Sequence, residues 1–220
     1  MSVEFKKRLF SSIIILPTIL IIIFEGKFFF NSLLIIFFLI SLYEWIKLSK
    51  NKIYKLIGIF FLVISYFSIY KLRNFFVEEN FNLFIFYYIV TLCIATDLGG
   101  YIFGKLIEGP KLTKISPNKT IAGALGAIFL SFIFSLFFYK KRDIFHITID
   151  VNFFNLMVIP ILISIVSQIG DLCISFFKRK ANVKDTGNFI PGHGGILDRT
   201  DGILLVFPLV ILILFFLRLT

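Results

Sequence analysis

Charged residues are scarce in this 220-residue chain, and its long apolar stretches contain almost none. Asp, Glu, Lys and Arg together make up 16% of the residues, against about 25% in soluble domains. By contrast, 58% of the residues are hydrophobic and 31 are phenylalanine. So few polar side chains cannot cover the surface of a soluble globule. The composition therefore predicts a membrane protein.

Cysteine and histidine are also rare, with two residues of each type. Cys93 and Cys173 fall inside apolar stretches, and neither has a cysteine or histidine at the spacing of a metal site. This pattern excludes a disulfide framework and a cysteine-based metal cluster. Both cysteines are expected to be small buried side chains.

Stretches long enough to cross a bilayer occur seven times. A membrane-spanning helix needs about 20 apolar residues. The stretches are residues 9–24, 28–46, 53–70, 81–103, 121–139, 152–177 and 203–219. Basic residues precede the first stretch, as in a signal peptide, but no small-residue cleavage site follows, so we interpret it as a retained helix. We expect an all-α, polytopic integral membrane helical bundle of about seven transmembrane helices, forming one domain over residues 1–220.

Positive charge is distributed unevenly between alternate loops. The net charge is +10, and most of the 23 Lys and Arg residues fall on one side if the N-terminus is cytoplasmic. That bias is the one that the positive-inside rule favours. The polar loops 105–120 and 178–201 then face the cytoplasm. Because the cations are scattered over short loops, anionic headgroups and phosphorylated ligands are expected as partners, and nucleic acid is not.

A polar stripe is predicted along the sixth stretch. Its members recur at helical spacing and are Ser164, Gln168, Asp171, Ser175 and Lys178. An ionised aspartate at bilayer depth costs about 2.5 kcal/mol or more. Asp171 is therefore expected to face a hydrated cavity, pair with a cation or bind a metal. A plain interhelical hydrogen bond or ion pair is the alternative.

Asp97 is a second carboxylate at the end of an apolar run. It precedes Gly99, Gly100 and Gly104. Glycines at this spacing permit close packing of helices, but they also let a ligand phosphate or another backbone approach an aspartate. Asp97 is thus a candidate for metal or nucleotide binding.

The loop before the fifth stretch is basic. Lys111, Lys114 and Lys119 precede Thr120, which is a predicted N-cap. A helix N-terminus with an adjacent lysine suits a phosphate. The spacing of a P-loop is absent, and a positive cytoplasmic loop without a ligand is the alternative.

Residues 175–201 form the most polar segment and combine cations, acids and a glycine-rich turn. Asp198 and Asp201 are three residues apart at the start of the last span and share a helix face. Two such carboxylates favour a cation between them, and Mg²⁺ prefers oxygen ligands. N-capping by the two acids is the alternative. His193 could bind a phosphate, donate a proton or shape the turn.

This segment closely resembles the signature of phosphatidate cytidylyltransferases, also called CDP-diacylglycerol synthases. The matching residues are Ser175, Lys178, Arg179, Lys184, Asp185, Pro191, Gly192, His193, Gly194, Gly195, Asp198, Arg199 and Asp201. Residues 97–101 and 116–120 resemble two upstream motifs of the family, and Asp171 matches a further family position. The chain departs at Ala122, where family members commonly carry glutamate, and it has fewer N-terminal helices than longer relatives.

The resemblance implies transfer of CMP from CTP to phosphatidic acid, which gives CDP-diacylglycerol and pyrophosphate. As catalytic residues it implies Asp171, Lys178, Arg179, Lys184, Asp185, His193, Asp198, Arg199 and Asp201. As substrate-binding residues it implies Asp97, Ser116, Lys119, Thr120, Ser175, Gly192, Gly194 and Gly195. The metal ligands would be Asp97, Asp171, Asp198 and Asp201, with Mg²⁺ as cofactor and a second cation left open.

The resemblance also implies a location and a domain organisation. The enzyme would be a multi-pass protein of the cell (inner) membrane, with its active site facing the cytoplasm. N-terminal helices would occupy residues 1–80, and catalytic helices and loops would occupy residues 81–220. Phosphatidic acid would reach the site from the lipid bilayer, and a homodimer is compatible with the family. We expect Asp97 and the loop ending at Lys119 to form one wall of the site and residues 175–201 the other.

Two other classes remain as alternatives. A CDP-alcohol phosphatidyltransferase would also combine aspartates, Mg²⁺ and a CDP-lipid, but its usual aspartate pattern is missing. A transporter or channel could use Asp97 and Asp171 along an ion pathway. Transporters often show inverted repeats, and the sequence shows none.

Overall fold

The computed structural model of the chain describes residues 26–75, 79–140, 153–189 and 194–216. Its helices are α1 Lys27–Leu48, α2 Lys52–Phe75, α3 Glu79–Leu106, α4 Ile121–Lys140, α5 Phe153–Lys180 and α6 Leu197–Phe216. No strand occurs within these ranges, where an isolated bridge pairs Lys111 with Thr120. All six helices are long and apolar enough to cross a membrane. The predicted all-α membrane fold is confirmed.

The helices match six of the seven predicted spans, and the first predicted span, residues 9–24, lies outside the described residues. The largest difference in boundaries is at α6, which begins at Leu197 instead of residue 203. Polar residues occupy its first turn because a carboxylate such as Asp198 is favourable at a helix N-terminus. Likewise α5 extends to Lys180, since basic residues are favourable in a last turn. The division at residue 80 stays a prediction.

Side chains fix the starts of two helices. The Ile53 amide donates to Asn51 Oδ1 at 2.8 Å as α2 begins. The Gly123 amide donates to Thr120 Oγ1 at 3.0 Å in the first turn of α4. Both contacts satisfy an amide that has no partner inside its own helix. The predicted N-cap at Thr120 is therefore confirmed.

The described residues divide into two compact units, which lie within residues 1–70 with 177–200 and within residues 71–176 with 201–220. In the first unit, Trp45 packs edge to face against Phe177, with 4.8 Å between the ring centroids. The Trp45 indole also donates to the Lys55 carbonyl at 3.2 Å. Gly58 lies against this indole, where a β-carbon would overlap the ring. These contacts join α1, α2 and the end of α5.

In the second unit, α3 and α4 pack through glycines. A β-carbon on Gly99 would lie 2.5 Å from the Gly126 carbonyl oxygen, and one on Gly123 would lie 2.7 Å from the Gly100 carbonyl oxygen. Such contacts with backbone atoms allow only glycine at these positions. The sequence left open whether the glycines after Asp97 serve helix packing or the approach of a ligand, and in the structure Gly99 packs against α4.

The two cysteines differ in burial. Cys93 is buried, as expected, whereas Cys173 is exposed on α5. The expectation of burial was wrong for Cys173, because an apolar stretch of sequence does not tell which side of a membrane helix packs against the protein and which faces outward.

Candidate functional site

Lys119 and Asp171 form an ion pair in the second unit. Lys119 ends a short folded loop, in which its carbonyl accepts from the Leu112 amide at 2.8 Å and its amide donates to the Ser116 carbonyl at 3.0 Å. These backbone bonds fix the position of Lys119 directly before α4. The side chains of Lys119 and Asp171 keep 27% and 30% of their surface exposed. A ligand can therefore still approach the pair.

Side chains of the predicted polar stripe on α5 form two separate hydrogen-bonded pairs, Asp171 with Ser175 and Ser164 with Gln168. Asp171 Oδ2 accepts from Lys119, and the Ser175 hydroxyl donates to Asp171 Oδ1 at 3.4 Å. One turn earlier, Gln168 Nε2 donates to Ser164 Oγ at 3.3 Å and to the Ala124 carbonyl at 3.4 Å. The stripe faces other protein groups, as its polarity requires. The sequence left open whether Asp171 pairs with a cation, and in the structure it does.

Four donor groups lie within hydrogen-bond distance of Asp198 in the first unit. Lys178 Nζ lies 2.7 Å from its Oδ1 atom. Its Oδ2 atom accepts from the Thr186 amide at 2.8 Å and the Gly195 amide at 3.0 Å, and the Thr186 hydroxyl lies 3.0 Å from the same oxygen. The side chains of Lys178 and Asp198 are only 12% and 6% exposed. Charge-assisted hydrogen bonds of this kind are about twice as strong as neutral ones, so Asp198 is firmly held.

Glu44 is a second carboxylate beside this cluster. It lies on α1 and is 3% exposed. The Ile196 and Leu197 amides donate to its two oxygens at 3.0 and 2.9 Å, and the Thr186 hydroxyl, which can donate to either acid, lies 2.9 Å from its Oε2 atom. Those amides are at the start of α6, where amides lack partners within their helix. A buried carboxylate is tolerated here because donors surround it.

The remaining predicted residues fall into three groups. Exposed side chains are those of Asp97, Arg179, Lys184, Asp185 and Arg199. Partly buried are Ser116, Thr120, Gly194 and Asp201, whose Oδ1 atom accepts from the Gly202 amide at 2.9 Å. Pro191, Gly192 and His193 lie outside the described residues. The catalytic, ligand-binding and metal roles of these residues stay predictions, as does the expectation of two facing walls.

The structure explains why two positions of the 175–201 segment are glycine. Gly194 adopts a φ of 87°, which side chains rarely allow. Gly195 lies against the Thr186 hydroxyl and the Glu44 carboxylate, where a β-carbon would overlap both. The glycines therefore permit the close approach of backbone to carboxylates.

The sequence matches a known family over most of its length. The profile of the cytidylyltransferase family matches residues 49–217. The chain belongs to the cytidylyltransferase family. The predicted family and enzyme class are thus confirmed.

Several curated bacterial relatives agree with this membership. A phosphatidate cytidylyltransferase of Staphylococcus aureus (strain COL) is 35% identical over 192 residues, which cover 77% of this chain and 71% of that protein. One of Staphylococcus haemolyticus is 35% identical over 193 residues, covering 78% and 72%. One of Staphylococcus saprophyticus is 38% identical over 176 residues, covering 76% and 63%. With six apolar helices among its described residues, this cytidylyltransferase is an integral membrane protein.

The magnesium ion that the family resemblance implies would need oxygen ligands from the acids of this cytidylyltransferase. Among the described residues, no three His, Cys, Asp or Glu side chains cluster as a metal site. Mg²⁺ does not require such a cluster, because it commonly uses one or two carboxylates together with substrate phosphates and water. Asp171 with the neighbouring Ser175 hydroxyl offers oxygen atoms of the right kind at a partly exposed position. Both oxygens of the buried Asp198 already accept hydrogen bonds, so of these two acids Asp171 is the better fit for magnesium.

Two residues of the site were missed by sequence reasoning. Glu44 and Thr186 are 142 positions apart, so no local spacing connects them. Glu44 could have been found from its position in the sequence, because a single acid within an apolar run of a membrane protein is often functional. Thr186 has no such feature. Glu44 also lies outside residues 49–217, the part that matches the family profile.

Proposed function

We propose that this cytidylyltransferase transfers CMP from CTP to phosphatidate, forming CDP-diacylglycerol and pyrophosphate in phospholipid biosynthesis. The observation that carries the proposal is a pair of lysine–carboxylate contacts, Lys119 with Asp171 and Lys178 with Asp198. All four residues belong to motifs that resemble the phosphatidate cytidylyltransferase family. Each acid holds an ammonium group in a defined position, which suits a reaction between two phosphorylated substrates.

The reaction needs little covalent chemistry from the protein. An oxygen of the phosphatidate phosphate attacks the α-phosphorus of CTP, and the bond from that phosphorus to the bridging oxygen of the β-phosphate breaks. Pyrophosphate leaves with the electron pair of that bond. A phosphomonoester is already largely ionised at neutral pH, since its second pKa is about 6. The protein must therefore reduce the repulsion between two anions and align them for in-line displacement.

The lysines meet this requirement. Lys119 precedes the N-terminus of α4, where free amides and a cation together suit a phosphate. Lys178 extends from the last turn of α5. In our proposal both ammonium groups bind substrate phosphates, and Asp171 and Asp198 orient them. The exposed cations Arg179, Lys184 and Arg199 add positive charge that attracts CTP.

Magnesium is part of the proposal. Asp171 with Ser175 would hold it together with the substrate phosphates. When bound, Mg²⁺ would neutralise charge on the phosphates of CTP. The proposed roles of Asp97, Asp198 and Asp201 as further ligands rest on the family resemblance.

The apolar outer surface of the helices is consistent with a substrate that comes from the lipid bilayer. Large apolar side chains are exposed on the helices, among them Phe60 at 68% on α2 and Leu125 at 63% on α4. Lipid is the natural cover for such surfaces. We propose that phosphatidate keeps its acyl chains in the bilayer while its headgroup reaches a site on the cytoplasmic side, as the positive-inside rule favours.

A homodimer is a further proposal from the family resemblance. The small residues at Gly99, Gly123 and Gly126 do not add to it, because they serve packing of α3 against α4 within one chain. Chemical cross-linking in native membranes, with a dimer band expected, tests this assembly.

Purified protein in detergent with CTP, phosphatidate and Mg²⁺ tests the proposed activity. We expect CDP-diacylglycerol by mass spectrometry, in amounts equal to the released pyrophosphate. Replacing phosphatidate with diacylglycerol should abolish the product, because the attacking phosphate is then absent. No nucleotide-linked lipid, together with ion flux through protein reconstituted in liposomes, would favour a transporter instead.

A further inference from the structure

We propose that Glu44 is a positioning residue for the cytidylyl transfer, acting through Thr186 on the Lys178–Asp198 pair. The expected effect on kcat rests on the proposed function. The inference goes beyond the signature, because Glu44 lies on α1 and precedes the first residue matched by the family profile, residue 49.

The burial of Glu44 is the first observation. At 3% exposure, a carboxylate needs donors to offset the loss of water. It has three within 3.0 Å, namely the Thr186 hydroxyl and the amides of Ile196 and Leu197. A residue so fully engaged is held in one position, and it holds its donors in position in turn.

The location of those donors is the second observation. Thr186 precedes the glycine-rich sequence of residues 191–195, whereas Ile196 and Leu197 follow it. Glu44 on α1 therefore contacts residues on both sides of this sequence. The positions of Thr186, Ile196 and Leu197 thus depend on a residue that is far from them in the chain.

Thr186 links the two carboxylates. Its hydroxyl lies 2.9 Å from Glu44 Oε2 and 3.0 Å from Asp198 Oδ2, while its amide donates to Asp198 at 2.8 Å. A hydroxyl has a single hydrogen, so it donates to one acid at a time. Glu44 thus influences the donors of Asp198, and Asp198 in turn orients the Lys178 ammonium group.

The neighbouring glycines are the third observation. A β-carbon on Gly187 would lie 2.5 Å from Glu44 Oε1, and Gly195 is equally close to the carboxylate. These two glycines thus make room for the same side chain. A solvated surface glutamate would need no such space.

The test compares Glu44→Gln with Glu108→Gln. Glu108 is exposed in the loop after α3, so its variant makes the same change in net charge without touching this cluster. In Glu44→Gln the new amide group faces donors and loses hydrogen bonds. We expect kcat per folded molecule to fall about 10-fold to 100-fold, as for a displaced catalytic group, with the KM for CTP changing far less. Glu108→Gln should match the unmodified protein.

Hydrogen exchange gives a readout that does not depend on the reaction. Amides of residues 194–200 should exchange at least about 10-fold faster in Glu44→Gln, and Glu108→Gln should leave them unchanged. If the unmodified protein makes no CDP-diacylglycerol, the proposed function fails, while the exchange result still decides whether Glu44 holds these residues in place.

A second variant covers the case in which Glu44→Gln does not fold. Thr186→Ala removes only the hydroxyl between the two acids, and we expect the same loss of kcat. Glu44→Asp should recover part of the activity of Glu44→Gln, because it restores the charge. Lower thermal stability with unchanged kcat per folded molecule, in both Glu44→Gln and Thr186→Ala, would overturn the proposal and leave Glu44 as a structural brace.

Discussion

Lys119 and Asp171 are 52 positions apart in sequence and form an ion pair between the loop before α4 and the middle of α5. The pair joins two motifs that lie far apart in the sequence. Ser175 adds a hydrogen bond to the other oxygen of the same aspartate. The arrangement fixes an ammonium group beside a helix N-terminus, and both are favourable neighbours for a phosphate.

Replacing Lys119 by methionine tests that arrangement. The side chain keeps a similar length but loses its charge, so we expect kcat/KM for CTP to fall about 100-fold, in the range seen when one group that stabilises a transition state is removed. Lys114→Met, at an exposed lysine of the same loop, is the matched control and should stay within about twofold. Equal losses in the two variants would mean that only the net charge of the loop matters.

Replacing Lys178 should reduce both stability and activity, because it breaks the Lys178–Asp198 pair. Lys178→Met leaves a carboxylate that is 6% exposed without its cation. Removing one partner of a buried pair costs about 3–5 kcal/mol. We expect a lower unfolding temperature and at least about 100-fold less activity. Lys180→Met, at an exposed lysine two residues later that lies over the Tyr54 ring, should retain nearly full activity. An active and stable Lys178→Met enzyme would contradict the role given to this pair.

The contacts of α3 predict that alanine is tolerated at position 100 but not at position 99. Gly99→Ala should lower the unfolding temperature, because the new β-carbon would lie 2.5 Å from the Gly126 carbonyl oxygen. Overpacking of this kind costs about 1–3 kcal/mol. Gly100→Ala should be tolerated, since its nearest neighbour would be 3.9 Å away. Thermal unfolding followed by fluorescence in detergent compares the two variants, and equal unfolding temperatures would argue against this helix contact.

Labelling at the two ends of α4 tests the orientation of the protein in the membrane. In a variant without native cysteines, Asn118→Cys should react with an impermeant maleimide only from the cytoplasmic side, and Lys140→Cys only from the opposite side. Both positions are exposed, and they lie at opposite ends of one membrane-spanning helix. Labelling in inverted and right-side-out vesicles distinguishes the sides. The reverse pattern would place the Lys119 loop away from cytoplasmic CTP.

Local patterns made much of this fold and site predictable. The six described helices follow from apolar length alone, and the polar face of α5 follows from the spacing of Ser164, Gln168 and Asp171. The start of α6 was placed too late because an apolar count omits its first polar turn. Exposure of Cys173 was missed because hydropathy does not separate protein-facing from lipid-facing sides.

Contacts between distant parts of the chain were not predictable. Neither the Lys119–Asp171 partnership nor the Glu44–Thr186 hydrogen bond has a signature in local spacing, since each depends on how helices pack. Thr186 looked like an ordinary loop residue within the signature. Its position between Glu44 and Asp198 appears only when α1 lies against the segment in the folded first unit.

Positional labelling of CTP tests the central claim most directly. The purified protein is incubated with phosphatidate, Mg²⁺ and CTP carrying a radioactive label at either the α-phosphate or the γ-phosphate. Attack at the α-phosphorus predicts that the α-label enters the lipid as CDP-diacylglycerol and that the γ-label leaves entirely as pyrophosphate. A γ-label transferred to lipid, or an α-label that never enters it, would contradict the account.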